Sequence, residues 1–346
     1  MHKSDLLRAK ATCLVLGVAG GTLFYFLHLP LPWMLGAMAA TTIAAMSGVR
    51  VALMPTLRMV FISILGIMLG SAFTPEVVQS LSVWLGSFGW LGLYVILATF
   101  VVFAFYRRVA RYDPVTAYFS AAPGGLSEMI LAGGALGGDE RRISLAHGAR
   151  ILIAIFALSF GYRWFGGYVP PASGSPILST AIEIEDWLVL GGCGIVGFLV
   201  ARALRMPAYA LVGPMVLSAI AHASGLTISR PPIWLVAAAQ IVVGAMVGSR
   251  FDGVSPRTVG HALLLAGGAT IVLLGFAALF GAAVERTLGI PFSAALLAFA
   301  PGGLAEMSLI ALSLNVDAAY VSSHHIVRIF MIVLAAPLVF RLLRRG

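Results

Sequence analysis

Charged residues are scarce in this sequence. Asp, Glu, Lys and Arg together make up 10% of its 346 residues, whereas 60% are hydrophobic. A soluble domain carries roughly a quarter charged residues, because its surface must be solvated. The scarcity excludes an ordinary water-soluble protein and indicates a chain embedded in a lipid bilayer. A mean hydropathy of +1.00 agrees with this assignment.

Cysteine and the common catalytic motifs are also nearly or wholly missing. Cys13 and Cys193 each lie inside an apolar run, which favours packing over a disulfide or a metal site. There is no His-Glu-x-x-His, no Glu-x-x-His pair and no Walker-type glycine loop. The 22 basic residues are scattered singly or in pairs, which argues against nucleic-acid binding. We therefore expect no enzymatic activity, no metal and no cofactor.

The chain instead contains twelve apolar segments, most of them long enough for the roughly 20 residues of helix that cross a bilayer. The longest polar interruption, 163–186, contains Gly, Pro and acidic residues and divides the chain into two halves. We predict a first membrane repeat at 1–162, an external linker at 163–185 and a second membrane repeat at 186–346.

The two halves are copies of each other. The heptapeptide PGGLSEM at 123–129 recurs as PGGLAEM at 301–307, which is 178 residues later. The same offset relates many further pairs, including Gly66 with Gly244, Asp139 with Asp317, His147 with His325, and Arg150 with Arg328. Such self-similarity over most of the chain indicates a whole-domain duplication.

The distribution of positive charge favours an inverted arrangement of the copies. If all twelve segments cross the membrane, 14 loop or terminal Lys and Arg residues lie inside and 6 outside. If the two segments that contain Pro-Gly-Gly enter and leave on one side, the split becomes 17 inside to 3 outside. Each copy then has five crossings, an odd number, so the copies are oppositely oriented and both termini are cytoplasmic. The first segment lacks a signal-peptide cleavage site, and we expect it to be retained as a helix.

A Pro-Gly-Gly turn inside an apolar segment exposes backbone groups that lipid cannot satisfy. Two such turns in corresponding positions of inverted copies indicate a transporter's central site, although they could also be structural kinks. A glutamate follows each turn and either caps the next helix or binds a proton or cation. Ser127 corresponds to Ala305, so the copies are not equivalent. The candidate residues here are Pro123, Gly124, Gly125, Ser127, Glu128, Pro301, Gly302, Gly303 and Glu306.

The helix after each turn carries a histidine and an arginine three residues apart, which places both on one face. The pairs are His147 with Arg150 and His325 with Arg328. Each arginine either forms a structural ion pair with the glutamate of its copy or holds a substrate oxyanion. The histidines either accept protons during coupling or serve as packing hydrogen bonders. His324 has no counterpart in the first copy.

The duplicated PGGL[SA]EM motif, followed by His and Arg, resembles the AbrB duplication family of bacterial inner-membrane proteins. Members carry labels such as ammonia monooxygenase or membrane regulator. The resemblance implies a multi-pass inner-membrane protein with two family repeats, and it does not name a substrate.

We therefore predict an all-α polytopic membrane protein with two inverted repeats, each of about five transmembrane helices and one re-entrant hairpin. The predicted function is secondary transport of a small, anionic solute, coupled to H+ or Na+. A membrane regulator or sensor is the alternative, and a metal-dependent monooxygenase is the least favoured because its ligands are missing. The expected partners are the bilayer, the solute and the coupling ion, and a homo-oligomer is compatible with the sequence.

Overall fold

The computed structural model describes residues 3–79, 81–165 and 183–343, and these contain helices but no β-strand. The all-helical prediction is confirmed. The α-helices are α1 (Lys3–Phe26), α2 (Pro32–Met46), α3 (Pro55–Gly70), α4 (Pro75–Gln79), α5 (Leu81–Arg108), α6 (Pro114–Ala121), α7 (Leu126–Ala135), α8 (Glu140–Phe165), α9 (Ile184–Ala203), α10 (Tyr209–Ala223), α11 (Ile233–Gly248), α12 (Pro256–Leu288), α13 (Phe292–Phe299), α14 (Leu304–Ser313) and α15 (Ala318–Leu343). Most of the predicted linker, 166–182, lies outside the described residues.

Seven of the described helices are long and apolar enough to cross a membrane. They are α1, α5, α8, α9, α11, α12 and α15. Three further helices, α2, α3 and α10, coincide with segments predicted to span but contain only 15, 16 and 15 residues. At about 1.5 Å per residue they are about 22–24 Å long, shorter than the roughly 30 Å hydrocarbon core. Their crossing of the bilayer stays a prediction.

The two segments with Pro-Gly-Gly are each interrupted where the sequence predicted. The first gives an eight-residue α6 and a ten-residue α7, and the second gives α13 and α14 of the same lengths. We call α6 and α7 the first helix pair, and α13 and α14 the second helix pair. The residue before a proline is driven out of the α-helical region, which ends the leading helix of each pair.

The chain divides into two compact units that do not coincide with the sequence repeats. Unit 1 comprises residues 1–79 and 155–256, and unit 2 comprises 80–154 and 257–346. Each unit therefore takes one stretch from each half of the sequence. Unit 2 contains both helix pairs and both His/Arg helical turns.

Unit 1 is held together by close helix crossings at glycine. Gly20 of α1 faces Gly36 of α2, and Gly197 of α9 faces Gly213 of α10, 177 residues later in each case. A Cβ atom on Gly213 would lie 2.1 Å from the carbonyl oxygen of Gly197. Small residues allow helix backbones to approach closely, and here no larger residue fits without separating the helices.

The same spacing recurs in other features of unit 1. Gly66 of α3 abuts the Leu211 carbonyl of α10, and Gly244 of α11 abuts the Met34 carbonyl of α2. Positive φ angles also recur 177 residues apart, at His28 and Arg205, Leu31 and Ala208, and Gly48 and Gly225. Cys13 and Cys193, both buried, are free thiols in this unit, as expected for packing residues.

Unit 2 surrounds its helix pairs with apolar and aromatic side chains. Tyr118, Phe119, Ala122, Met129, Ile143 and Ile332 form one buried cluster around the first pair. Beside the second pair, the Tyr94 ring meets Phe299 at 5.5 Å and Phe280 at 5.8 Å between centroids, both edge-on. Because edge-to-face aromatic contacts are directional, they fix the orientation of Tyr94 on α5.

The glycine crossing in unit 1 gives a first prediction. Gly213→Ala should destabilise the protein by about 1–3 kcal/mol, because the new methyl group overlaps the Gly197 backbone. The matched control is Gly191→Ala on α9, where a Cβ has nothing within 4 Å. That control should be neutral or slightly stabilising, since alanine favours helix over glycine. Melting of the detergent-purified variants measures both, and equal melting temperatures would contradict the crossing.

Candidate functional site

Each helix pair turns through an extended residue, a proline and two glycines. Ala122 ends α6 with ψ of 125°, and Ala300 ends α13 with ψ of 146°. Pro123 and Pro301 follow and are buried, while the four glycines are half-buried. Gly125 is the N-cap of α7, and Gly303 is the N-cap of α14. The carbonyl end of one short helix and the amide end of the next therefore lie at each turn.

At the first turn, Arg150 binds the carbonyl end of α6. Its Nη1 donates to the Ala122 carbonyl at 3.4 Å, and its Nη2 donates to His147 Nδ1 at 2.8 Å. His147 Nε2 lies 2.7 Å from the Phe119 carbonyl. Arg150 and His147 are both buried, so this small network ties α8 to the last turn of α6.

At the second turn, Arg328 makes corresponding and more numerous contacts. Its Nη1 donates to the Ala300 carbonyl at 2.7 Å and reaches that of Phe299 at 3.5 Å. Its Nη2 donates to the Gly302 carbonyl at 2.9 Å and to His325 Nδ1 at 2.8 Å. His325 Nε2 lies 3.0 Å from the carbonyl of Leu297. Arg328 therefore covers the end of α13 more completely than Arg150 covers that of α6.

These contacts define the state of His147 and His325. An arginine N–H can only donate, so each Nδ1 must be an acceptor, and each Nε2 must carry the proton that reaches a carbonyl. Both imidazoles are therefore neutral in this arrangement. A second proton, on Nδ1, would point at the guanidinium and break the His–Arg bond.

The guanidinium groups act as caps for the interrupted helices. Carbonyls at a helix C-terminus lack intrahelical donors and carry the negative end of the helix dipole. A buried cation placed there satisfies both needs. In the described residues, the hydrogen bonds of Arg150 and Arg328 go to carbonyls and imidazoles, and the ion pairs with Glu128 and Glu306 that the sequence allowed are not among them.

The two glutamates lie at the opposite, amide ends of the turns. With Gly125 and Gly303 as N-caps, Glu128 and Glu306 are the third helical residues, as the sequence predicted. Each carboxylate folds back on its N-cap glycine. A Cβ atom at Gly125 would be 2.3 Å from Glu128 Oε2, and one at Gly303 would be 2.0 Å from Glu306 Oε2. This position favours a negative charge, because the positive end of the helix dipole lies there.

The two turns differ in exposure. Ser127 is exposed and Glu128 is half-buried, whereas Ala305 and Glu306 are buried. The divergence seen in the sequence between Ser127 and Ala305 therefore accompanies an open first turn and an enclosed second turn.

Four buried donors around the arginines have no hydrogen-bond partner among the described residues. They are Arg150 Nε, Arg328 Nε, Tyr94 Oη and Tyr106 Oη. Tyr94 interacts electrostatically with both arginines, Tyr106 interacts with Arg150, and the two arginines are close enough to repel each other. The sequence analysis missed both tyrosines. A tyrosine within a long apolar segment was the available signal, because a buried hydroxyl normally has a partner.

Comparison with known proteins assigns the chain to a family. The family model described as "Transition state regulatory protein AbrB" matches residues 33–344. The chain belongs to the AbrB family. This confirms the resemblance drawn from the duplicated motif. No solved structure matches the chain.

Two relatives share the AbrB architecture over nearly their full lengths. "Uncharacterized protein YhjN" of Bacillus subtilis (strain 168) is 26% identical over 386 aligned positions, which cover 99% of this chain and 95% of the relative. "Putative regulator AbrB" of Escherichia coli (strain K12) is 26% identical over 333 positions, which cover 92% of this chain and 91% of the relative.

The position of the Glu128 carboxylate gives a second prediction. Gly125→Ala should push the carboxylate off the helix end, and Glu128→Gln should remove its charge, so each should cost about 0.5–2 kcal/mol as a lost cap. The double variant should lose little more than either single variant, because both remove one interaction. Melting temperatures of the three variants test this, with Gly89→Ala on α5 as a control site that has open space. Fully additive losses would contradict the contact.

Proposed function

We propose that this AbrB-family protein is a secondary transporter of a small anionic solute across the bacterial inner membrane, coupled to H+ or Na+. The seven long apolar helices support a membrane location. The observation that carries the proposal is the donor group formed by Arg150, Arg328 and Tyr94 in unit 2. This group contains two buried cations and unpartnered N–H and O–H donors.

An anion accounts for this donor group on energetic grounds. A buried donor without an acceptor costs about 1–3 kcal/mol, and two buried like charges repel. An anion between the arginines accepts from the free Nε atoms and the Tyr94 hydroxyl, and it also offsets the repulsion. A cation or a neutral apolar solute provides neither benefit.

The two arginines have different parts in the proposed site. Arg328 uses both Nη atoms on three carbonyls and His325, which leaves Nε as its remaining donor atom. Arg150 donates to one carbonyl, at 3.4 Å, and to His147. Arg150 therefore has more capacity for a bidentate contact with a carboxylate or other oxyanion, whereas Arg328 is chiefly a helix cap.

The proposed membrane arrangement follows from the repeat and the charge distribution. Each copy has five crossings and one re-entrant helix pair, the copies are inverted, and both termini are cytoplasmic. Interrupted helices at corresponding positions of inverted repeats form the substrate sites of many secondary transporters. The inward position of 17 of 20 loop or terminal Lys and Arg residues supports the same arrangement.

The alternative function is that of a membrane regulator or sensor, which the printed name of the Escherichia coli relative favours. A sensor needs to bind a solute but does not need to move it. Uptake by proteoliposomes that contain only this protein therefore separates the two functions. Solute-dependent stabilisation without uptake would favour the sensor.

A third prediction tests the topology. Single cysteines at Arg108 and Arg141, in a background without Cys13 and Cys193, should both react with an impermeant thiol reagent from the cytoplasmic side. Both positions are exposed and flank the first helix pair and its approach. A re-entrant pair returns the chain to the side from which it entered, so labelling from opposite sides would exclude the inverted repeat.

A fourth prediction separates the roles of the arginines. Arg150→Lys should weaken anion binding at least about tenfold with a small change in melting temperature, because an ammonium lacks the guanidinium fork. Arg328→Lys should chiefly lower the melting temperature, because it loses several bonds to the end of α13. Arg142→Lys, also on α8 but exposed, is the control.

The measurement is thermal stabilisation of the detergent-purified protein by acetate, succinate, phosphate and sulfate, followed by proteoliposome uptake of each stabilising anion. Stabilisation should grow with concentration as expected for binding to the folded state. If none of these anions stabilises or enters, the proposal of anion transport fails. If Arg150→Lys binds as the wild type does, the assignment of Arg150 as the principal contact is wrong.

A further inference from the structure

A third buried histidine in unit 2 lies outside the two His/Arg pairs. His324 of α15 places Nε2 2.9 Å from Ser87 Oγ on α5, and Ser87 Oγ lies 2.5 Å from the Tyr320 hydroxyl. His324 Nδ1 lies 2.8 Å from the Tyr320 carbonyl. All three residues are buried. This Tyr320–Ser87–His324 chain joins residues more than 230 positions apart, and it has no counterpart in the first copy, where Ala146 replaces His324.

The direction of the hydrogen bonds in this chain is determined by its chemistry. A carbonyl can only accept, so His324 Nδ1 carries the proton and Nε2 is the acceptor of the Ser87 hydroxyl. Ser87 then accepts from the Tyr320 hydroxyl. Two O–H donors therefore lead to a single lone pair on His324 Nε2.

This geometry lets His324 take up a proton without losing a hydrogen bond. When each proton moves one step along the chain, the imidazolium still donates from Nδ1 to the carbonyl and from Nε2 to Ser87 Oγ, while Ser87 donates to the Tyr320 oxygen. The Tyr320 oxygen regains a proton from outside the chain. His147 and His325 lack this property, because their Nδ1 atoms accept from an arginine.

The groups that face His324 come from three helices. On α15 they are Tyr320, with a ring 3.9 Å away between centroids, and the charged Arg328, which interacts with His324 electrostatically, while His325 is its direct neighbour. On α5 they are Ser87 and the Phe88 ring at 4.6 Å, and on α13 the Phe299 ring at 6.1 Å. Arg328 is thus the charge that opposes a proton on His324.

The other end of the chain lies near the exposed start of α15. Tyr320 N–H donates to Asp317 Oδ1 at 2.9 Å, and the Tyr320 side chain also interacts electrostatically with this carboxylate. Asp317 is exposed. The chain therefore runs from the neighbourhood of an exposed carboxylate to a histidine beside the proposed anion site.

We infer that His324, reached through Tyr320 and Ser87, is the proton-binding site that couples anion transport to protons. The inference rests on the proposed anion transport. An anion held by Arg328 Nε offsets the positive charge that faces His324, so that one proton from water binds Nε2 together with the anion. By linkage, protonation of His324 strengthens anion binding by the same factor. H+ rather than Na+ is then the coupling ion, because the chain ends at a nitrogen lone pair.

The test measures anion affinity and proton uptake on the same purified protein. Acetate and sulfate are suitable probes, because their charge is nearly constant between about pH 6 and about pH 8. In the wild type, affinity for the stabilising probe should rise as the pH falls, by up to about tenfold per pH unit for one linked proton. Addition of that probe to weakly buffered protein should remove up to one proton per site from solution.

His324→Gln is the decisive variant, since it keeps an amide able to contact Ser87 but cannot bind a proton. It should still bind the probe, with an affinity independent of pH and without proton uptake. His261→Gln, which changes an exposed histidine of α12, should behave as the wild type. If His324→Gln does not fold, Ser87→Ala is the second variant. It should reduce proton uptake, because protonated Nε2 then lacks its acceptor.

The outcomes separate this inference from the proposed function. A wild type that binds the probe with no pH dependence and no proton uptake would overturn the role of His324 and leave anion transport standing. Unchanged proton uptake in His324→Gln would do the same. A wild type that binds neither acetate nor sulfate, nor any other anion of the panel, would remove the basis of both proposals.

Discussion

The carbonyl end of an interrupted helix is the constraint on which unit 2 depends. Once Pro-Gly-Gly stops α6 and α13 inside an apolar unit, their last carbonyls must find donors that lipid cannot supply. Arg150 and Arg328 supply them from α8 and α15. This requirement explains why two guanidinium groups are buried among apolar helices, and it places their remaining N–H atoms where a solute can be bound.

The same constraint relates stability to function at this site. A guanidinium that serves only as a cap would use all its donors on carbonyls, as Arg328 nearly does. Arg150 uses fewer, and it lies beside the more open turn with Ser127 and Glu128. The two copies have therefore kept one architecture while their donor groups have diverged. Such divergence suits a carrier, in which one half can fix the backbone while the other contacts the solute.

Histidine has different roles at three neighbouring positions for reasons of hydrogen-bond direction alone. His147 and His325 receive an arginine N–H and pass a proton donor on to a carbonyl, so they extend the caps. His324 receives a serine hydroxyl, and its chain can reverse direction when a proton arrives. Residue type and burial are the same in all three, and only the neighbouring donor differs.

The sequence by itself determined the class of the protein and the places where its helices break. Composition sets the membrane environment, proline and glycine interrupt helices locally, and a three-residue spacing places His and Arg on one face. Those features depend on neighbours within a few residues. The duplication was visible because corresponding residues keep one offset, although the compact units combine stretches from both halves.

Only the tertiary structure decided which acceptor each arginine uses. Glu128 and the Ala122 carbonyl were both available to Arg150, but every residue carries a carbonyl, and no sequence pattern marks the one that a helix break leaves free. Tyr94, Tyr106 and Ser87 escaped notice for the same reason, since their importance comes from side chains far away in the chain. Long-range packing selects these partners, because hydrogen bonds require distances near 3 Å that sequence spacing does not specify.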